Sequence, residues 1–192
     1  MIKLFYDLET TGTDNRKHSI HQLAGVVEVD EEVVEEFDFR IAPHPKAICE
    51  PAAMTICGVT EEQLRAYPPA DVFHAEFLRL LARYVNKFDK LSKIHLVGFN
   101  NRYFDDQFLR KHFEIQGDNY FGSWFWADSL DVMVLASEYL LDRRAGMPSF
   151  KLHRVAEELG LEVDQSKTHE AGYDVQLTRQ IYRIVTNREI EI

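Results

Sequence analysis

The sequence predicts an α/β fold in which a mixed central sheet, made of an antiparallel meander and parallel strands, is flanked by helices. Three apolar runs near the N-terminus are separated by short polar turns, which is typical of a meander. A buried-type run at 94–98 then leads through a polar turn into an amphipathic segment, the pattern of a strand followed by a helix. The 192 residues suit a single domain, and we expect it to span 1–192.

The first three strands follow from their β-branched and aromatic content. Residues 2–9 form an apolar run that ends at the turn signal Thr11-Gly12, and residues 20–29 form a second run. Phe37, Phe39 and Ile41 alternate with polar residues, which predicts a third strand with one face in the core.

Helices are predicted from caps and from 3.6-residue periodicity. A proline-punctuated loop at 43–51 precedes a capping box, Thr60 to Gln63, that starts a short helix. Apolar residues at helical spacing predict a longer helix whose stripe runs from Phe73 to Phe88. Further helices are expected after Phe104, at 129–141, at 149–159 before Gly160, and from about Thr168. The aromatic residues 124–126 are expected to pack in the core or at its rim, although stacking on nucleobases is conceivable.

Composition excludes several classes of protein. Hydrophobic residues make up 45% of the chain and charged residues 28%, which is typical of a globular domain, and the net charge of −10 argues against a general electrostatic coat for nucleic acid. We expect no signal peptide or membrane span and a cytoplasmic location. Cys49 and Cys57 are expected to be reduced thiols, and His18 and His21 to be ordinary strand histidines without a metal role.

Two carboxylates in the first strand are unusual for their setting. Asp7 and Glu9 are two positions apart inside an apolar run, so in a strand they point to the same face. Burying two ionised carboxylates side by side is costly unless a cation lies between them, and Mg²⁺ or Mn²⁺ prefers such oxygen ligands. The pattern therefore suggests a metal site, with a pair of solvated acids at a strand end as the alternative.

Two more acids and a histidine join this pair. Asp105 is expected in the first turn of a helix that follows the strand at 94–98, close to the edge where α/β sheets bind ligands. Asp174 falls on the apolar stripe of the last helix and is expected to be partly buried, with His169 five residues before it. Several converging carboxylates are what two-metal phosphoryl chemistry requires, and a nearby histidine can act as a general base.

At these positions the chain resembles the DEDDh exonuclease superfamily, which has a ribonuclease H-like fold. Its three motifs occur in order and at suitable elements. The matching residues are Asp7-Leu8-Glu9-Thr10-Thr11-Gly12 for the first motif, Asn101, Phe104 and Asp105 for the second, and His169, Ala171 and Asp174 for the third.

Within that superfamily the chain is similar to the catalytic domain of bacterial exonuclease I over nearly its whole length. The shared sequence segments are residues 98–101 with 104–106, residues 128–133 and residues 147–152. Two departures stand out. We expect the accessory C-terminal domains of exonuclease I to be absent, which puts processivity in question. Cys57 stands where many superfamily members have a histidine.

The resemblance implies a role for each matching residue and two divalent ions, Mg²⁺ or Mn²⁺. Asp7 would bridge both metals, Glu9 and Asp174 would complete one of them, and Asp105 would hold the other, partly through water. His169 would deprotonate the attacking water. Leu8, Thr10 and Asn101 are the predicted substrate-binding residues.

The function expected from this resemblance is 3′-to-5′ removal of nucleoside monophosphates from single-stranded DNA. The alternatives are a 3′-to-5′ exoribonuclease like oligoribonuclease or ribonuclease T, a proofreading subunit of a polymerase, and a nucleic-acid-binding module with a dead site. The motifs do not reveal a contact with the 2′-hydroxyl group, which leaves the RNA alternative open. The predicted partner is single-stranded nucleic acid, DNA in preference to RNA, with no membrane.

Overall fold

The structure is a computed structural model and describes residues 1–186. Five strands and eight α-helices are present in this range, with one 3₁₀ turn at Arg144–Gly146. The strands are β1 Ile2–Thr10, β2 Ile20–Val29, β3 Glu32–Arg40, β4 His95–Gly98 and β5 Leu130–Asp131. The helices are α1 Pro51–Cys57, α2 Glu61–Arg65, α3 Ala70–Leu81, α4 Asp105–Ile115, α5 Phe121–Trp124, α6 Val132–Tyr139, α7 Leu152–Glu158 and α8 Ala171–Val185.

The five strands form one mixed sheet in the order β3-β2-β1-β4-β5. The β1–β2 and β2–β3 pairs are antiparallel, and the β1–β4 and β4–β5 pairs are parallel. This confirms the predicted combination of a meander with parallel strands. Because β1 lies in the middle, the carboxyl ends of β1, β4 and β5 meet at one edge of the sheet.

Helices cover both faces of the sheet and produce two hydrophobic cores. The even-numbered residues of β1, from Leu4 to Leu8, face a core built mainly with α3 and α4. Phe5 faces the other core, where α6, α7 and α8 pack, and its ring meets Tyr182 edge to face at 5.4 Å. Asp7 and Glu9 share the parity of Phe5, so they point toward the α8 side.

An ion cluster fixes α8 to the sheet. Glu28 of β2 has no exposed surface. One of its carboxylate oxygens accepts hydrogen bonds from Arg179 Nε at 3.0 Å and Nη2 at 2.7 Å. The other accepts from Arg183 Nη2 at 2.7 Å. Two arginines one turn apart on α8 therefore hold this helix, and Asp174 with it, against β2.

The predicted long helix ends earlier than its apolar stripe. The stripe predicted helix as far as Phe88, but α3 stops at Leu81, and the Phe88 side chain is 86% exposed. Residues 86–91 form turns that are stabilised by side chains. Asn86 Oδ1 accepts a hydrogen bond from the backbone N–H of Phe88, and Asp89 Oδ1 accepts one from the backbone N–H of Leu91. Such local side-chain bonds compete with helix continuation.

Other boundaries differ from the predictions for local reasons. Helix α1 lies in a segment for which no helix was predicted, and Pro51 begins it. The predicted helix at 129–141 starts only at Val132, because Asp131 ends the short strand β5 and caps the helix. The helix predicted at 149–159 spans only α7, and a turn stabilised by Asp164 delays α8 to Ala171.

Several predicted elements are confirmed. Strands β1 and β2 coincide with the apolar runs predicted at 2–9 and 20–29 to within one residue, and Thr60 forms the predicted capping box with Gln63. Trp124 and Phe125 are buried, as core packing requires. Both cysteines are free thiols. Within residues 1–186 we find no helix with the length and apolar content needed to cross a membrane.

Candidate active site

The four acids predicted from the sequence lie on three elements that meet near the carboxyl end of β1. Asp7 and Glu9 are on β1 itself, Asp105 is the first residue of α4, and Asp174 is in the first turn of α8. β4 runs parallel to β1 with Phe5 beside Val97, so the chain leaving β4 passes the level of Asp7 and delivers Asp105 there. The fold therefore brings residues 7, 9, 105 and 174 to one place.

Burial and mutual repulsion both act on these carboxyls. Burial raises the pKa of Asp7 well above its usual value, and the charges of Asp105, Glu9 and Asp174 raise it further. Burial raises the pKa of Asp105 to about 8 and that of Asp174 to about 7, with the charge of Glu9 adding to both. The raised pKa values mean that the ionised carboxylates repel one another, so the ionised site carries uncompensated negative charge.

Asp105 is positioned by the backbone of β1. Its Oδ1 accepts a hydrogen bond from the Leu8 N–H at 3.1 Å. Its neighbour Asp106 is buried and accepts from the Tyr6 hydroxyl and from the Ser129 hydroxyl, each at 2.5 Å. These bonds join β1, the start of α4 and the approach to β5, so the helix that carries Asp105 cannot move independently of the sheet.

The turn between β4 and α4 is equally constrained. Asp131 Oδ1 accepts from the backbone N–H of Asn100, a residue with φ of 62°, at 2.9 Å. Asn101 is fully buried, and its carbonyl accepts from the Asp106 N–H at 2.8 Å. A Cβ at Gly98 would lie 2.7 Å from the Asn101 Cβ, so this position requires glycine. The sequence motif around Asn101 thus corresponds to a tightly built turn.

Asp174 and His169 differ in their exposure. Asp174 is partly buried, as predicted, and a hydrogen bond from the His169 backbone partly opposes the rise of its pKa. His169 is exposed and has φ of 70°. Its ring lies 6.3 Å from that of His153, centroid to centroid. His169 therefore lies close in sequence to Asp174, and its side chain is exposed to solvent.

Glu9 is held by a residue that the sequence motifs did not indicate. The Cys57 thiol at the end of α1 donates to Glu9 Oε2 at 3.1 Å. Burial, and then the charge of Glu9, raise the pKa of Cys57 to about 12, so the thiol stays protonated and is a donor. The only signal in the sequence was the departure at position 57 from the histidine of related chains.

The predicted substrate residues are more enclosed than expected. Leu8 packs in the core and Asn101 has no exposed surface, while the Thr10 hydroxyl donates to the Gly12 carbonyl at 2.8 Å. An open cleft of about 490 Å³ lies between the turn after β1 and the start of α4. The lining residues are Thr13, Asp14, Asn15, Arg16, Tyr103, Phe104, Gln107 and Phe108.

The chemistry of the donor set fits a hard divalent cation. All four candidate ligands are carboxylates, which Mg²⁺ and Mn²⁺ prefer, and their raised pKa values show that positive charge would relieve the site. In the described part of the chain no three acidic, cysteine or histidine side chains are arranged so that they could hold a metal ion by themselves. Water or substrate phosphate would therefore have to complete the coordination of an ion at this site.

Comparison with known proteins identifies relatives of this chain. A family model described as RNase_T, Exonuclease, matches residues 4–182. Escherichia coli exonuclease I in complex with a dT13 oligonucleotide has a TM-score of 0.78 and 25% identity, covering 97% of this chain and 41% of that one. The zinc-bound form of the E. coli exonuclease I complex with single-stranded DNA has 26% identity and the same TM-score, with 98% and 41% coverage.

A curated relative points to the same group of enzymes. The PolC-type DNA polymerase III of Mycoplasmopsis pulmonis is 25% identical over 177 residues, which is 92% of this chain and 11% of that polymerase. The chain thus spans about a tenth of this polymerase and about two fifths of the exonuclease I chains. The mixed five-stranded sheet matches the ribonuclease H-like fold of exonuclease I, as predicted. A match over most of its length shows that the chain belongs to the RNase T exonuclease family and is a nuclease.

Proposed function

We propose that this chain is a metal-dependent 3′-to-5′ exonuclease that releases nucleoside monophosphates from single-stranded DNA. The observation that carries the proposal is the convergence of Asp7, Glu9, Asp105 and Asp174, each with a raised pKa, at the edge of the sheet. Family membership supports the reaction class. The exonuclease I structures with dT13 and dA16 oligonucleotides support single-stranded DNA as substrate.

The roles of the acids follow from the family motifs. Asp7 would hold both Mg²⁺ or Mn²⁺ ions, Glu9 and Asp174 would hold one, and Asp105 would hold the other. Two such ions activate a water and neutralise charge on the phosphate that is attacked. Asp105 keeps its orientation through the backbone N–H group of Leu8, which donates to its Oδ1 at 3.1 Å.

His169 is the proposed general base. It lies two residues before α8, the helix that carries Asp174, and its side chain is exposed to solvent. It would take the proton of the attacking water, so His169→Ala should lower turnover by about 10²- to 10⁴-fold. Divalent-metal affinity should be retained, because His169 is not a proposed ligand. A variant with near-normal turnover would remove His169 from the mechanism.

The cleft between the turn after β1 and the start of α4 is the proposed path of the strand. Tyr103, which is 81% exposed, lines it and offers a ring for base stacking, and the exposed Arg16 side chain lines it too. Arg16 also bonds Asp14, so it adds little net charge. An exposed ring combined with little net positive charge supports recognition of one flexible strand, since a duplex would need a broad basic surface.

The test is digestion of 5′-labelled single-stranded DNA, single-stranded RNA and blunt duplex DNA side by side with Mg²⁺, Mn²⁺ or excess EDTA. We expect a ladder that shortens from the 3′ end of the single DNA strand, much slower cutting of the duplex, and no activity in EDTA. The Asp7→Asn variant serves as the inactive control and Asp142→Asn, at an exposed position, as the active one. Equal rates on duplex and single strand, or activity in EDTA, would contradict the proposal.

Two related functions are separated by the same assay. The PolC-type relative favours a proofreading role as the second candidate. That role predicts weak activity of the purified chain and strong stimulation by a polymerase. Faster digestion of RNA than DNA would instead favour an exoribonuclease. The cytoplasmic location and the single domain remain predictions.

A further inference from the structure

The contact between Cys57 and Glu9 joins two segments that are distant in sequence. The thiol donates to Glu9 Oε2 at 3.1 Å across 48 residues. Neither residue is fully buried, so the contact lies at the wall of the acid group rather than in the core. Within residues 1–186 the Glu9 side-chain oxygens accept no other hydrogen bond, so Oε1 has no donor there.

The way the neighbouring Asp105 is held makes this contact stand out. Asp105 Oδ1 accepts a hydrogen bond from the backbone N–H of Leu8 at 3.1 Å. That donor persists whatever side chain occupies position 8. Glu9 instead depends on a side chain, which a single substitution can remove.

We propose that Cys57 is a positioning residue for the metal ligand Glu9. The thiol engages Oε2 and fixes the carboxylate so that Oε1 is the oxygen presented to a divalent cation. A preoriented ligand binds a cation more tightly because less side-chain freedom is lost on binding. The inference rests on the proposed function, since it assumes that Glu9 is a metal ligand.

Cys57 could instead serve only to anchor α1, but other contacts already attach this helix to the rest of the domain. Met54 of α1 is buried, and the Glu50 N–H before the helix donates to the Thr11 carbonyl at 2.8 Å. The Glu50 side chain lies 3.0 Å from the buried ring of His18. Helix α1 is thus attached at its start and middle, and the bond at its last residue serves Glu9.

The experiment measures Mn²⁺ binding to the purified chain without substrate, by calorimetry or by the spin-resonance signal of free Mn²⁺. Cys57→Ala removes the donor, Cys57→Ser keeps one, and Cys49→Ser is the matched control at the other thiol. We expect Mn²⁺ affinity to fall roughly 3- to 10-fold in the alanine variant, the range for one lost hydrogen bond, and to recover to within about 2-fold in the serine variant. The Mn²⁺ concentration for half-maximal nuclease rate should shift in parallel.

Thermal unfolding in EDTA separates positioning from anchoring. If Cys57 only anchors α1, the alanine variant loses stability while its Mn²⁺ affinity stays normal, and this result would overturn the inference. Equal affinity in all four proteins would do the same, while leaving the nuclease proposal standing. Absence of Mn²⁺ binding and of nuclease activity in the wild-type chain would instead reject the proposed function, and the role of Cys57 with it.

Discussion

Replacing Asp174 by asparagine should make the metal-free protein more stable at pH 8. Asp174 is partly buried beside Glu9, and its pKa is raised from 3.8 to about 7. At pH 8 the carboxyl is therefore ionised in an environment that disfavours its charge. Asparagine has nearly the same shape, so the change removes mainly the charge.

The magnitude follows from linkage between proton binding and folding. A pKa raised from 3.8 to about 7 corresponds to about 4 kcal/mol at pH 8, and to less than about 2 kcal/mol at pH 5. Because the native state binds the proton more tightly, stability is lost as pH rises between these values. Partial exposure weakens the effect, and a negative charge in the first turn of α8 favours that helix by about 0.5 kcal/mol. We therefore expect a net gain of about 2 kcal/mol at pH 8.

The assay is denaturant and thermal unfolding in EDTA at pH 5 and pH 8. For a chain of this length, about 2 kcal/mol corresponds to a Tm increase of about 4 to 8 °C. The difference between Asp174→Asn and wild type should be present at pH 8 and small at pH 5. Asp142→Asn, at an exposed position, is the control and should change neither value. Excess Mg²⁺ should stabilise the wild type more than the variant, since a ligand is missing.

Two outcomes would refute this reasoning. Equal stability of variant and wild type at pH 8 in EDTA would mean that the ionised carboxylate is well solvated. An equal gain at both pH values would mean that asparagine acts through packing or helix propensity, with no contribution from charge. Either result would remove the electrostatic basis for placing a cation beside Asp174.

Three other predictions test separate parts of the structure. Asp7→Asn should lower the nuclease rate by at least about 10²-fold while the circular dichroism spectrum stays unchanged, since it removes a proposed ligand of both ions. Glu28→Ala should lower the unfolding free energy by about 3 to 5 kcal/mol, because two arginines of α8 lose a buried partner, and urea titration measures this loss. Phe88→Ser should change stability by less than about 0.5 kcal/mol, whereas Phe77→Ala, at a side chain without exposed surface, should cost about 3 to 5 kcal/mol in the same titration.

The parts of the fold that were predictable depend on short-range patterns. The run at 2–9 and the capping box at Thr60 specify β1 and α2 without reference to the rest of the chain. The end of α3 was not predictable from periodicity, because Tyr84 and Val85 continue the apolar spacing while Asn86 and Asp89 favour turns. Pattern and local hydrogen bonding disagree after Val85, and the local bonds hold residues 86–91 in turns outside the helix.

The site was predictable as a set of residues but not as a set of contacts. Motif spacing singled out the acids because carboxylates in apolar runs need an explanation. Their partners carry no such signal: Tyr6 looks like a core aromatic, Ser129 like a helix start, and Cys57 like a loop thiol. Each becomes meaningful only when the chain brings it to Asp106 or Glu9.

The way the acids are held indicates where this site tolerates change. Asp105 is oriented by the backbone N–H group of Leu8, which substitution cannot remove unless it introduces proline or shifts the chain. Glu9 is oriented by the Cys57 side chain, which another residue can replace. Among related chains that often have histidine at this position, the donor group can therefore differ while the acids stay the same. Variation at position 57 would then alter metal affinity without altering the reaction.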